Sequence, residues 1–235
     1  MPTAIITGGT RGIGKSLILK FASHGFNIAT CARNESDLLQ LSAEINKAFP
    51  KVKCLAITCD VGNKKQLIAF GQQAIASLGP IDVLINNAGQ FVPGSIMSEA
   101  DGDFENLINV NLASAYHLTR VIVPIMIEQK AGYIFNLCST ASIKAYTNGG
   151  SYCISKFGLL GFSKVLREEL KEYGIRVSAV LPGPTDTSSW AGSNLPSSRF
   201  MNPSEIAHLL FEFYSTSSNV VVEEILIRPM LGDLN

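Results

Sequence analysis

The sequence predicts an α/β protein built on a doubly wound, mostly parallel sheet. Three observations carry this expectation. Short β-rich runs alternate with longer helical stretches along the 235 residues, the pattern of successive strand–helix–strand units. The strand runs are continuously apolar, as parallel strands covered by helices on both faces require. The first run empties into glycines, and a helical pattern follows at once.

The elements follow in order. Ala4–Thr7 reads as the first strand and Lys15–Ser23 as the first helix. Asn27–Cys31 is the second strand, and the helix Glu35–Phe49 stops before Pro50. Val52–Thr58 is the third strand, followed by a helix over Lys64–Leu78 that Gly79-Pro80 closes. Val83–Ile85 is a short fourth strand. Asp103–Gln129 is a long helical stretch, expected to bend or break near Pro124. Tyr133–Leu137 is the fifth strand, and Ser151–Tyr173 a helix closed by Gly174. Ile175–Leu181 is the sixth strand, ended by Pro182-Gly183-Pro184. Glu205–Tyr214 is helical, and Val220–Ile227 contains a seventh strand. Residues 185–203 are rich in Ser, Gly, Pro and Asn and read as a mobile substrate loop. No repeat or low-complexity linker divides the chain, so residues 1–235 are expected to form a single domain.

Composition narrows the function. Hydrophobic residues make up 46% and charged residues 16%, enough to bury a large core and incompatible with disorder. Nineteen basic residues balance nineteen acidic ones. No field attracts nucleic acid or an anionic membrane, and neither partner is expected. The longest apolar run, Val121–Ile127, is interrupted by Pro124, so no membrane span is expected. The strand-like run begins directly after Met1-Pro2-Thr3, so no secretion signal is expected. The five cysteines form no CxxC pair and have no His at metal spacing. Reduced thiols in a cytoplasmic protein, without a metal, are the expectation. A near-neutral, fairly apolar surface favours a homo-oligomer.

The glycine turn carries the first functional signal. It reads Thr7-Gly8-Gly9-Thr10-Arg11-Gly12-Ile13-Gly14. Gly8, Gly12 and Gly14 allow a sharp turn and close approach to a pyrophosphate, which the following helix N-terminus attracts by about 0.3–1 kcal/mol. The spacing is G-x-x-x-G-x-G, and its place between first strand and first helix gives it weight. The second strand ends in Cys31-Ala32-Arg33-Asn34. An NAD site commonly has a carboxylate there for the ribose 2′-hydroxyl. Here Arg33, with Arg11 in the glycine loop, suits a 2′-phosphate and favours NADP over NAD. The alternative for Arg33 is a solvated surface position. Asp60-Val61 and Asn87-Ala88-Gly89 follow the third and fourth strands, where ligands bind in open α/β sheets. Asn87 equally suits a structural tie between strands.

Tyr152 and Lys156 lie four apart and share one helix face. Reducing a carbonyl needs an acid, and a free tyrosine titrates near 10. An ammonium on the same face is expected to lower it, about 4 kcal/mol for ~3 units. Ser139, at the end of the fifth strand, is placed to hold a substrate oxygen. Asn111 is a candidate anchor for a water linking the lysine to solvent. Phe91, Val92, Met97, Tyr146 and Trp190 are candidate pocket walls, mostly apolar, for a small or hydrophobic carbonyl. The alternative for each is core or lid packing.

On these motifs the chain resembles the short-chain dehydrogenase/reductase family over nearly its whole length. The family's glycine loop matches Thr7–Gly14, its Asn-Ala-Gly motif Asn87–Gly89, and its Pro-Gly segment Pro182-Gly183. Its catalytic asparagine, serine, tyrosine and lysine fall on Asn111, Ser139, Tyr152 and Lys156. The resemblance implies a Rossmann-type fold of seven mostly parallel strands and an NADP(H)-dependent oxidoreductase interconverting a ketone or aldehyde and an alcohol. It implies Tyr152 as acid and base, Lys156 on the nicotinamide ribose, Ser139 on the substrate, and Thr185 near the nicotinamide carboxamide. It also implies a homodimer or homotetramer built on the helices around 103–129 and 151–173. Two alternatives remain open at this level: an NAD-preferring alcohol dehydrogenase, and a dinucleotide-sensing protein with weak turnover.

Overall fold

The computed structural model describes residues 1–188 and 195–234. One sheet runs through it in the order β3-β2-β1-β4-β5-β6-β7, every neighbouring pair parallel. The strands are β1 (Thr3–Thr7), β2 (Asn27–Ala32), β3 (Cys54–Thr58), β4 (Val83–Asn86), β5 (Gly132–Leu137), β6 (Ile175–Pro182) and β7 (Glu224–Ile227). The helices are α1 (Gly12–Ser23), α2 (Glu35–Ala48), α3 (Lys64–Leu78), α4 (Asp103–Ile108), α5 (Ser114–Gln129), α6 (Gly150–Leu170) and α7 (Pro203–Tyr214). This is the doubly wound, Rossmann-type arrangement expected. Strand order reverses between β1 and β4, which opens a crevice at the carboxyl ends of the strands.

Strand residues alternate between faces, and both faces are buried, which explains the unbroken apolar runs. In β1, Ala4 and Ile6 pack with Leu17, Phe21, Ile45 and Leu210, from α1, α2 and α7. Ile5 faces the other way, among Leu67, Phe70, Leu118, Ile122 and Leu166, from α3, α5 and α6. Burying each such side chain contributes about 1.5–3 kcal/mol. Asparagine side chains start α2, α3 and α7: Asn34, Asn63 and Asn202 accept from first-turn amides.

Two expectations about 103–129 are corrected. The helical run is interrupted over Asn109–Ala113, where a π-turn joins α4 to α5, and not at Pro124. Pro124 continues inside α5 on its exposed side, so the carbonyl of Arg120 that loses its partner can turn to water. The same stretch is also long and apolar enough to cross a membrane, with mean hydropathy 1.3. Its buried face, Leu107, Leu118, Ile122 and Met126, packs into the protein core, as a core helix does. The last strand is shorter than expected and starts only at Glu224.

Candidate active site

The glycine loop turns where β1 ends. Gly8 (φ +70°) and Gly12 (φ +55°) adopt left-handed backbone that favours glycine. Gly14 is fixed by space, since a Cβ there would meet the Gly8 carbonyl oxygen at 2.3 Å and Asn87 Nδ2 at 2.5 Å. The Gly8 amide donates to the Cys31 carbonyl, 2.9 Å, which ties the loop to β2. Arg11 is the N-cap of α1 and supplies no side-chain cap, so the helix start presents its amides outward. Ile13 points inward to the core, while Thr10 is half-buried beside it. Arg11 and Arg33 are both exposed, and neither makes an ion pair among the described residues. No carboxylate stands at the end of β2. This set fits a dinucleotide bearing an extra phosphate: an uncapped helix start, a glycine cradle and two unpaired cations.

Other predicted residues line the same edge of the sheet with mixed roles. Asn34 spends its side-chain oxygen on the start of α2, accepting from Ser36 N at 2.9 Å. Asp60 is exposed and accepts from Gly62 N at 2.9 Å, and Val61 packs on the core beneath. Asn87 donates to the Thr7 carbonyl at 2.8 Å, and Thr7 Oγ1 accepts from the amides of Asn87 and Ala88. These bonds stitch β1 to the loop after β4, the structural tie foreseen. Thr185 is buried, donates to the Gly183 carbonyl at 3.0 Å and bridges to Met201. Gly12 faces Thr187 across the crevice, whose Cγ2 would lie 3.1 Å from a Cβ at Gly12.

Two of the four expected catalytic residues, Asn111 and Lys156, lie beside Gly89. A Cβ built there would lie 3.4 Å from Asn111 Oδ1 and 3.5 Å from Lys156 Nζ. Lys156 is buried and donates to the Leu137 carbonyl at 2.7 Å. Burial pulls its ammonium down to about 8. The ammonium lies 5.9 Å from the centroid of the Tyr152 ring. Tyr152 behaves differently from the sequence expectation. Burial holds its phenol above the ordinary value, and the neighbouring Ser139 side chain opposes this only in part. The physical reason is that desolvation acts on the phenol directly, whereas the ammonium is itself buried and spends a hydrogen bond on a carbonyl.

Ser139 caps a short 3-10 turn, its Oγ accepting from Ala141 N at 3.1 Å. Asn111 sits in the π-turn, a frequent feature of functional sites. Its amide donates to the Gln90 carbonyl and to Ser155 Oγ, both 2.9 Å, and its oxygen accepts from Gln90 N at 2.7 Å. Only one acceptor lone pair of that side chain remains for the expected water. Ser155 in turn donates to the Tyr152 carbonyl at 2.7 Å, so Gln90 and Ser155, unforeseen from sequence, connect the asparagine to the tyrosine.

On the substrate side, Phe91 packs edge-on against Tyr152, ring centroids 4.9 Å apart. Tyr146 lies near enough that Tyr152 and Cys153 add to burial in raising its phenol. Val92 is half-buried. Met97 is 93% exposed and does not line a pocket, which corrects that expectation. Trp190 and the middle of 185–203 lie outside the described residues. A separate cavity of about 630 Å³, walled by Phe200, Met201, Leu209, Ile227 and Met230, holds none of the predicted site residues.

Comparison with known proteins concerns the chain as a whole. The family model described as short chain dehydrogenase matches residues 2–196. A sepiapterin reductase of Chlorobaculum tepidum is 30% identical over 238 aligned residues, covering 98% of this chain and 97% of the relative. A metagenomic short-chain oxidoreductase solved in complex with NADP superposes with a TM-score of 0.84 at 31% identity, covering 97% of each chain. L-sorbose reductase from Gluconobacter frateurii, solved with NADPH and L-sorbose, gives 0.89 at 25% identity, covering 97% of this chain and 95% of that one.

Proposed function

Because the chain belongs to the short-chain dehydrogenase family, we propose that it is a single-domain, cytoplasmic, NADP(H)-dependent oxidoreductase interconverting a ketone or aldehyde and an alcohol. The observation that carries this reading is the meeting of Ser139, Tyr152 and Lys156 at the carboxyl end of β5, in a chain whose β1 runs into an uncapped glycine-rich helix start. NADPH, when bound, supplies the hydride. Gly8, Gly12 and Gly14 let backbone approach its pyrophosphate, and Arg11 and Arg33 hold the 2′-phosphate. Asp60-Val61 and Asn87-Ala88-Gly89 flank the adenosine half, and Pro182, Gly183 and Thr185 the carboxamide.

Ser139 holds the substrate oxygen, and Tyr152 gives it the phenolic proton as the carbonyl carbon is reduced. A phenol kept above its ordinary value stays protonated across the physiological range, the form a reductase needs in its acid. Lys156, whose ammonium titrates near physiological pH, steadies the nicotinamide ribose and helps restore the tyrosine's proton. Phe91 and Tyr146 present apolar surface to the substrate. The NADP preference draws on the two cations, the missing carboxylate, and the NADP or NADPH in the solved relatives. A homodimer or homotetramer is proposed on α5 and α6, whose Tyr116, Ile154, Phe157 and Val165 remain at least 41% exposed.

The test is a panel of ketones, aldehydes and alcohols followed by nicotinamide absorbance, with NADPH and NADH affinities measured in parallel. Turnover with NADPH, and weaker binding of NADH, is expected. Binding without turnover on the whole panel would leave a dinucleotide sensor.

A further inference from the structure

Helix α6 carries Tyr152 and Lys156 but lacks the means to start itself. Its N-cap is Gly149, no side chain of its own segment caps it, and its first turn holds no acidic residue. The first amides of a helix need partners from elsewhere. Here one partner comes from far upstream in the chain. Glu99, in the segment between β4 and α4, accepts from Ser151 N with Oε1 at 2.8 Å, and its Oε2 accepts from Ser151 Oγ. Both oxygens of one carboxylate thus land on the residue next to Tyr152. The charge also sits at the positive end of the helix.

The niche around this carboxylate is walled by glycines. A Cβ on Gly150 would meet Glu99 Oε1 at 2.2 Å, and one on Gly94 would meet Glu99 Cγ at 2.6 Å. The main chain holds the same two segments together, since Gly94 N donates to the Asn148 carbonyl at 2.9 Å and Gly94 bridges to Gly149. Phe91, from the same upstream segment, touches the Tyr152 ring. Without the carboxylate, the start of α6 would hang on Gly149-Gly150, the least constrained dipeptide available.

We propose that Glu99 is a positioning residue for Tyr152: by clamping Ser151 it fixes where the phenol stands relative to Ser139 and the substrate. The inference rests on the reading of Tyr152 as the acid. Misplacing a reacting group by about 1 Å costs up to about 10²-fold in rate, so partial release of the helix start is expected to cost about tenfold in kcat.

Four proteins test this: wild type, Glu99→Ala, Glu99→Gln and Ser151→Ala, each measured for kcat, KM, NADPH Kd and amide hydrogen exchange along α6. Glu99→Ala is expected to lower kcat about tenfold with NADPH Kd within about twofold. Exchange should quicken only in the first turn of α6. Glu99→Gln keeps an oxygen for Ser151 N and should restore most of kcat. Ser151→Ala keeps the amide, loses the hydroxyl, and should fall between, which keeps the test open should Glu99→Ala not fold. Wild-type kcat in the Ala variants, or a parallel loss of NADPH binding and of protection along the whole helix, overturns the inference. A wild type that reduces no carbonyl overturns the proposed function, and this inference with it. An active wild type with indifferent variants overturns this inference alone.

Discussion

Burial works on Tyr152 and Lys156 in opposite directions, keeping a proton on the phenol and loosening the one on the ammonium. The lysine's share is measurable without any substrate. Its folded value of about 8 lies below the ordinary 10.5. Between those two pH values the unfolded chain binds a proton that the folded chain has given up, so stability rises with pH across that window. The full increment is about 3 kcal/mol. Buried thiols such as Cys138, pushed up to about 11, act the other way above pH 9, so the lysine's share is read as the difference between wild type and Lys156→Met in urea unfolding at stepped pH, which is expected to change by this amount across the window. A second outcome concerns Arg33, proposed to hold the 2′-phosphate; charge-assisted hydrogen bonds of that kind contribute about 1.5–3 kcal/mol. Arg33→Ala is expected to weaken NADPH binding about 10- to 100-fold and to leave NADH binding nearly unchanged by titration calorimetry. The place of Ser139 at a strand end and of Tyr152 and Lys156 four apart on one helix was legible in the sequence because spacing and element position are local facts. The raised phenol was not, because desolvation is a property of the packed surroundings. Glu99 left no local signal either, since its partner is distant in the chain.

Strands, helices and glycine turn were the most readable features, since each is written in a short window of sequence. Proline is the strongest breaker in the sequence of 103–129, but an exposed proline deprives only a carbonyl that water can serve, and α5 runs through it. The interruption comes instead at Asn109–Ala113, whose residues carry no breaker and whose π-turn surrounds the buried Asn111, held by three hydrogen bonds. The glycine turn supports a sharp test. Gly14→Ala pushes a methyl into the Gly8 carbonyl and the Asn87 amide. It is expected to cost about 1–3 kcal/mol of stability from overpacking, read as a lower urea midpoint. NADPH affinity should drop about tenfold for each 1.4 kcal/mol lost from the cradle.

The balanced charge and the apolar residues left on α5 and α6 bear on how copies of the chain associate. Phe157, 46% exposed on α6, lies on the proposed interface. If the proposed homo-oligomer forms on this face, Phe157→Asp converts it to a smaller species in sedimentation velocity, while the far-ultraviolet circular dichroism stays native. The glycine turn at the end of β1 and Tyr152 on α6 belong to one reaction only if hydride and proton reach the same substrate. The direct measurement is a single turnover of NADPH carrying deuterium at the transferable position, in wild type and in Tyr152→Phe. Wild type is expected to yield alcohol with deuterium on the former carbonyl carbon. Tyr152→Phe is expected to bind NADPH equally well and to transfer deuterium about 10²–10⁴-fold more slowly. Equal transfer rates in the two proteins would contradict the role given to Tyr152.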